Sequence, residues 1–205
     1  VPMIKNREFE KARNQFIHVL GISKISDFFM LSFFQKMVNK YHGGRIQIST
    51  DSSSPGLYPV YGTYLHSPQL SKMTFTDLYF PKGENLPYNA TDLVPNPLGH
   101  PVSEGFTFGD VSNYKGDVTM KMTLNNLFVF NDTVKQVEEI VKCHNELLQT
   151  IVPRDFYSIL MSMEEMFKDP DKAIHIYNKN RQLYDRFGGS TRDLVNNEVF
   201  NKFFE

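Results

Sequence analysis

The stretch over residues 26–41, SDFFMLSFFQKMVNKY, constrains this chain more than any other. Its polar residues Ser32, Gln35, Lys36, Asn39 and Lys40 recur at offsets 0, 3, 4, 7 and 8, so a period of 3.6 gathers them on one side of a helix. Phe29, Met30, Phe33, Phe34, Met37, Val38 and Tyr41 fill the rest of the circumference. A helix with so wide an apolar face has to bury most of it against other elements. Ser23 or Ser26 supplies a cap, and Gly43-Gly44 a stop. Residues 28–31 are four apolar positions in a row, which wrap the helix. At least one of Phe28, Phe29, Met30 and Leu31 faces away from any single packing layer, and these four are the expected ligand or partner contacts.

Upstream, residues 5–20 read as a first amphipathic helix with Phe9, Ala12, Phe16, Ile17 and Leu20 inward, ended by Gly21. Lys5, Arg7, Lys11 and Arg13 then face water. The two helices predict an N-terminal αα-hairpin over residues 1–44. After Gly44 the period drops to 2. Residues 45–49 alternate, and residues 57–66 and 73–80 are rich in β-branched and aromatic types, so all three read as strands. Pro59 makes the second an edge strand or delays its start. Residues 117–124, DVTMKMTL, alternate Val118, Met120 and Met122 against Thr119, Lys121 and Thr123, which predicts another strand, extended by 127–130. Helices are expected over 131–151, 154–168, 170–187 and 191–203, with Pro153 and Gly188-Gly189 as breaks.

The expected fold class is therefore α+β: an N-terminal αα-hairpin, a central mainly antiparallel sheet and a C-terminal helical layer. The length of 205 residues suits one domain, divided into the hairpin (1–44), the strands (45–130) and the helices (131–205). Within the middle third, residues 81–106 carry five prolines and three glycines and show no periodicity. Connections of this length tend to cover or form sites. His100 is the side chain there best suited to a role, with Asp92, Glu104 and Asp110 as its nearest candidate partners in sequence.

Charge excludes some classes. The net charge is −1, with eight basic against three acidic residues over 1–50, three against seven over 51–120, and eleven against thirteen over 121–205. No dense basic cluster results, so no nucleic-acid partner is predicted. Cys143 is the sole cysteine, which rules out an intrachain disulfide. No signal peptide and no membrane-spanning apolar run is visible, and the compartment stays unassigned. A start at Val1 is expected of a processed or trimmed chain.

The common chemical signatures, among them GxGxxG, GxxxxGK[ST], HExxH, CxxC pairs and GxSxG, do not occur. The six histidines (18, 42, 66, 100, 144, 175) are scattered, so neither a metal site nor a cofactor is expected. Glu138-Glu139 and Glu164-Glu165 diverge by about 100° on a helix and read as solvated faces. Gly188-Gly189-Ser190-Thr191-Arg192 combines free N–H groups, hydroxyls and a cation, making Ser190, Thr191 and Arg192 candidate anion contacts; the same residues also serve as an ordinary helix stop and cap.

With 18 Phe, 10 Tyr and no chemical motif, the leading expectation is a non-catalytic interaction or structural protein. It would be a subunit of a larger assembly that uses aromatic and Met-rich surface for protein partners or self-association. One alternative is a carrier of an apolar small molecule held between the Phe/Met helix and the sheet, with residues 81–106 as its mouth. The other is an enzyme with dispersed groups and His100 as acid or base.

Overall fold

The computed structural model of the chain describes residues 1–11, 15–44, 46–80, 88–112 and 116–187. Two single turns, α1 (Pro2–Lys5) and α2 (Glu8–Lys11), lead into β1 (Gln15–Val19), then α3 (Ile25–His42) and β2 (Ile46–Thr50). β1 and β2 pair in parallel, with Gln15 opposite Ile46 and Val19 opposite Thr50. This strand–helix–strand unit replaces the expected αα-hairpin. Phe16 and Leu20, which a helix over 5–20 would turn inward, are 75% and 70% exposed, whereas Ile17 between them packs on the core. A strand of five residues is too short to show its period against a helical background, and its pairing with β2 decides the conformation.

The Phe/Met stretch forms α3 as read. Gly43 and Gly44 end it in the left-handed region, at φ 72° and 70°. Lys24 occupies the N-cap without a side-chain cap, so neither Ser23 nor Ser26 plays that part. Ser26 is instead buried and donates to the Phe187 carbonyl at 3.3 Å.

A short helix α4 (Ser54–Leu57) and a 3-10 turn over Tyr58–Tyr61 precede the hairpin of β3 (Thr63–Gln69) and β4 (Thr74–Tyr79), which is antiparallel. Pro59 lies in that turn, and the strand starts after it. The remaining elements are helical: α5 (Phe108–Ser112), α6 (Gly116–Lys142), α7 (Asn145–Ile151), α8 (Arg154–Lys168) and α9 (Ala173–Phe187). The chain is thus broadly α+β, but among the described residues its sheets are two separate strand pairs, not one central antiparallel layer. The strands expected over 117–124 and 127–130 belong to α6. Val118 and Met122 are buried while Met120, midway between them, is 62% exposed, which is the spacing of a helix face. Val118, Met120 and Met122 alternating with Thr119, Lys121 and Thr123 imitate a strand there. The expected helix over 191–203 lies outside the described residues.

The main core gathers on α3. Phe29, Phe33 and Met37, four residues apart, are fully buried against Val137 and Val141 of α6 and Phe156, Ile159 and Leu160 of α8. Phe29 meets Phe156 edge-on at 6.1 Å between ring centroids, and Phe34 meets Phe167 at 5.3 Å. Each such ring contributes about 1.5–3 kcal/mol by burial, and an edge contact about 0.5–1.5 kcal/mol more. A smaller cluster of Tyr64, Phe80, Val94, Phe108 and Val111 packs on Val118 and Met122, so α6 spans both clusters. Asn126 fixes β3 to α6: its amide nitrogen donates to the Thr63 carbonyl at 3.0 Å and its oxygen accepts the Leu65 N–H at 2.8 Å. No helix among the described residues is long and apolar enough to cross a membrane.

Candidate functional site at the carboxyl ends of β1 and β2

Parallel strands bring their carboxyl ends to one edge, where open α/β sheets place their ligands. His18 of β1 lies opposite Ser49 of β2 in the register. Asp51, two residues further on, shares the face of Ser49 by the strand period of 2. The imidazole spans the pair, with Nδ1 2.8 Å from Ser49 Oγ and Nε2 3.5 Å from Asp51 Oδ2. Asp51 is itself held: its Oδ1 accepts the Gly21 N–H at 3.3 Å, its own N–H donates to the Val19 carbonyl, and its carbonyl accepts the Ile22 N–H. Gly21, at φ 73°, carries that N–H on the left-handed turn that closes β1. Only the Ser49 contact is a hydrogen bond; the Asp51 contact is a charge contact, longer than the ~2.7–3.2 Å of an N–H···O bond. A carboxylate beside Nε2 favours the ring proton there, the tautomer in which Nδ1 accepts from the Ser49 hydroxyl. The three side chains form a hydroxyl–imidazole–carboxylate chain open to solvent.

Beside Ser49 lies a cleft of about 480 Å³ between α3, the outer edge of β2 and the last turns of α6. Its α3 wall is the polar seam, Ser32, Gln35, Lys36 and Asn39, with Phe28 and Leu31 at the amino end. Ile48, Ser49 and Thr50 form the second wall, and Val134, Glu138, Val141 and Lys142 the third. Two seam residues already hold main chain. Lys36 Nζ donates to the carbonyls of Val141 at 2.6 Å and Cys143 at 3.0 Å, capping the end of α6 where helix carbonyls lack partners. Burial there pushes its ammonium below the ordinary lysine range. Gln35 Nε2 donates to the Ile46 carbonyl at 2.8 Å, and its Oε1 accepts the Ile48 N–H at 2.7 Å. Lys40, the last seam residue, points elsewhere and donates to Glu164 Oε1 at 2.6 Å.

The four apolar residues expected as contacts divide. Phe28 and Leu31 line the cleft, Phe29 is fully buried in the core, and Met30 packs half-buried against it. His100 is buried in the long loop against Phe128, its ring 5.4 Å away, and its Nε2 has no hydrogen-bond partner among the described residues. It does not line the cleft, and Asp110 bonds instead to Thr107. Ser190, Thr191 and Arg192 lie outside the described residues. Glu164, read as a solvated carboxylate, is instead buried and bonded to Lys40 and Asn145. Among the described residues no three His, Cys, Asp or Glu side chains are grouped to hold a metal ion.

No family model matches the chain, and neither a curated protein nor a solved structure matches it. The site therefore has to be read from its own geometry. Sequence reasoning passed over His18 and Asp51 because it put His18 on a helix. The available signal was the run Ile-Ser-Thr-Asp-Ser after a strand, a polar stretch at the end of an alternating segment.

Proposed function

We propose that this chain carries the acid–base centre of a group-transfer or hydrolytic enzyme, with Ser49 as nucleophile, His18 as general base and Asp51 as the group that orients the imidazole and stabilises the imidazolium formed in the step. The single observation behind this reading is His18 bridging Ser49 and Asp51 at the carboxyl ends of two parallel strands. In the step it supports, Ser49 Oγ attacks an electrophilic carbonyl carbon as its proton passes to His18 Nδ1. The imidazolium is stabilised by Asp51 and returns the proton to the departing group. The test is turnover of activated ester substrates by the wild type and by Ser49→Ala, His18→Gln and Asp51→Asn. A loss of at least about 10²-fold in the first two, with the fold intact by circular dichroism, supports the reading. Unchanged turnover in Ser49→Ala removes it.

A second reading, contact with a protein partner or a second copy through aromatic surface, is supported by Phe16 and Leu20, which stand exposed on and just after β1. Sedimentation of wild type against Phe16→Ser with Leu20→Ser tests it, and a wild type that is monomeric at every concentration, with no patch-dependent association, counts against it.

A further inference from the structure

The bonds made by Gln35 show what the outer edge of β2 recognises. In a parallel pair, one residue bridges its neighbour by donating to the carbonyl before it and accepting from the N–H after it. The Gln35 carboxamide does this at Gln47, with Nε2 on the Ile46 carbonyl and Oε1 on the Ile48 N–H. It occupies the place of a residue in a third parallel strand. Main-chain groups alternate along a strand. Asp51 N–H faces β1, where it meets Val19, so Ser49 faces β1 too, and Ile48 and Thr50 face outward. The Ile48 carbonyl and the Thr50 N–H are the next acceptor and donor along that edge. Among the described residues nothing bonds to either, and both residues line the cleft.

We propose that this edge is a binding site for the main chain of an extended peptide, which bridges at Ser49 in parallel register by donating to the Ile48 carbonyl and accepting the Thr50 N–H. Gln35 sets the register by filling the preceding position, and Phe28 and Leu31 lie where a peptide side chain enters the cleft. The site uses no atom of the His18, Ser49 or Asp51 side chains, so it goes beyond the catalytic reading and stands apart from it.

The test is titration of the ¹⁵N-labelled protein with acetyl-Thr-Val-Thr-Val-amide, with the same peptide methylated at every peptide nitrogen, and with N-methylacetamide. Saturable displacement of the Thr50 amide resonance by the first peptide, at least about tenfold weaker with the methylated one, is expected for one lost donor. No displacement up to about 10 mM, roughly tenfold above a dissociation constant of ~1 mM, overturns the proposal. So does equal affinity for the methylated peptide, or N-methylacetamide binding as tightly as the tetrapeptide. Thr50→Pro deletes the donor together with its own resonance, so in that variant the response is read at the neighbouring Ser49 and Asp51 amides; it is lost there if the variant folds, and the methylated peptide decides the question if it does not. His18→Gln retains the response in full, which separates this result from failure of the catalytic reading.

Discussion

Gln35 accepts the Ile48 N–H at 2.7 Å through Oε1, so a helix side chain completes the outer edge of β2, the edge away from β1 that no other strand borders among the described residues. Edge main chain left without partners costs more than a typical hydrogen bond contributes.

Gln35→Ala strips partners from both the Ile46 carbonyl and the Ile48 N–H. The expected loss is about 1–3 kcal/mol, read as a lower urea midpoint at unchanged slope. Amide exchange at Ile48 speeds up more than at Val38, which is fully buried in the body of α3. Equal acceleration at both positions would show that Gln35 acts on the fold as a whole, not on the edge.

Glu164 governs an acid limb of stability. The hydrogen bond from Lys40 at 2.6 Å, helped by the charges of Lys40 and Lys168, holds its carboxyl below the usual glutamate range against the opposing effect of burial. A group depressed in the folded state stabilises above its unfolded value of about 4.3 and loses that contribution as the pH falls through the folded value. Stability is therefore expected to drop on acidification below about pH 4.5, and Glu164→Gln flattens that limb. Lys40→Met raises the Glu164 carboxyl in a carbon-detected titration. A Glu164 midpoint unmoved by Lys40→Met would mean that the pair contributes nothing.

Tyr184 governs the alkaline limb. Burial, against a weaker opposing bond to Ser162 at 2.9 Å, pushes its phenol up to about 12. A raised value means stability that is complete below the unfolded value of about 10 and is lost as the pH rises through the folded one. Burial raises the phenols of Tyr58 and Tyr64 as well, so ultraviolet titration of the ten tyrosines should show a late fraction that includes a component near pH 12, and Tyr184→Phe should remove that component. Ionisation of all of them by pH 11 in a protein still folded would refute the assignment.

What the sequence shows and hides follows from how local each signal is. The periodicity of α3 is legible over residues 26–41 because one pattern repeats through nearly all of its 18 residues, and Pro153 before it and Asp169-Pro170 after it bracket the helix over Arg154–Lys168. The polar seam was visible as well, though not its use. Ser32, Gln35, Lys36 and Asn39 turned out to be one wall of a cleft, and two of them hold main chain of β2 and α6. The start of α6 was misread because Val118, Met120 and Met122 satisfy a strand period as well as a partial helical one. Only packing of Val118 and Met122 on Phe80 and Phe108 breaks the tie.

The sequence by itself determined the Phe/Met helix with its Gly43-Gly44 stop, the helix over Arg154–Lys168 and the aromatic supply of the core, because these depend on residues within a turn or two of each other. Tertiary structure decided that residues 15–19 are a strand, and with it the meeting of His18, Ser49 and Asp51. Thirty-one positions separate His18 from Ser49, and their approach depends on main-chain bonds between β1 and β2 that no local pattern encodes.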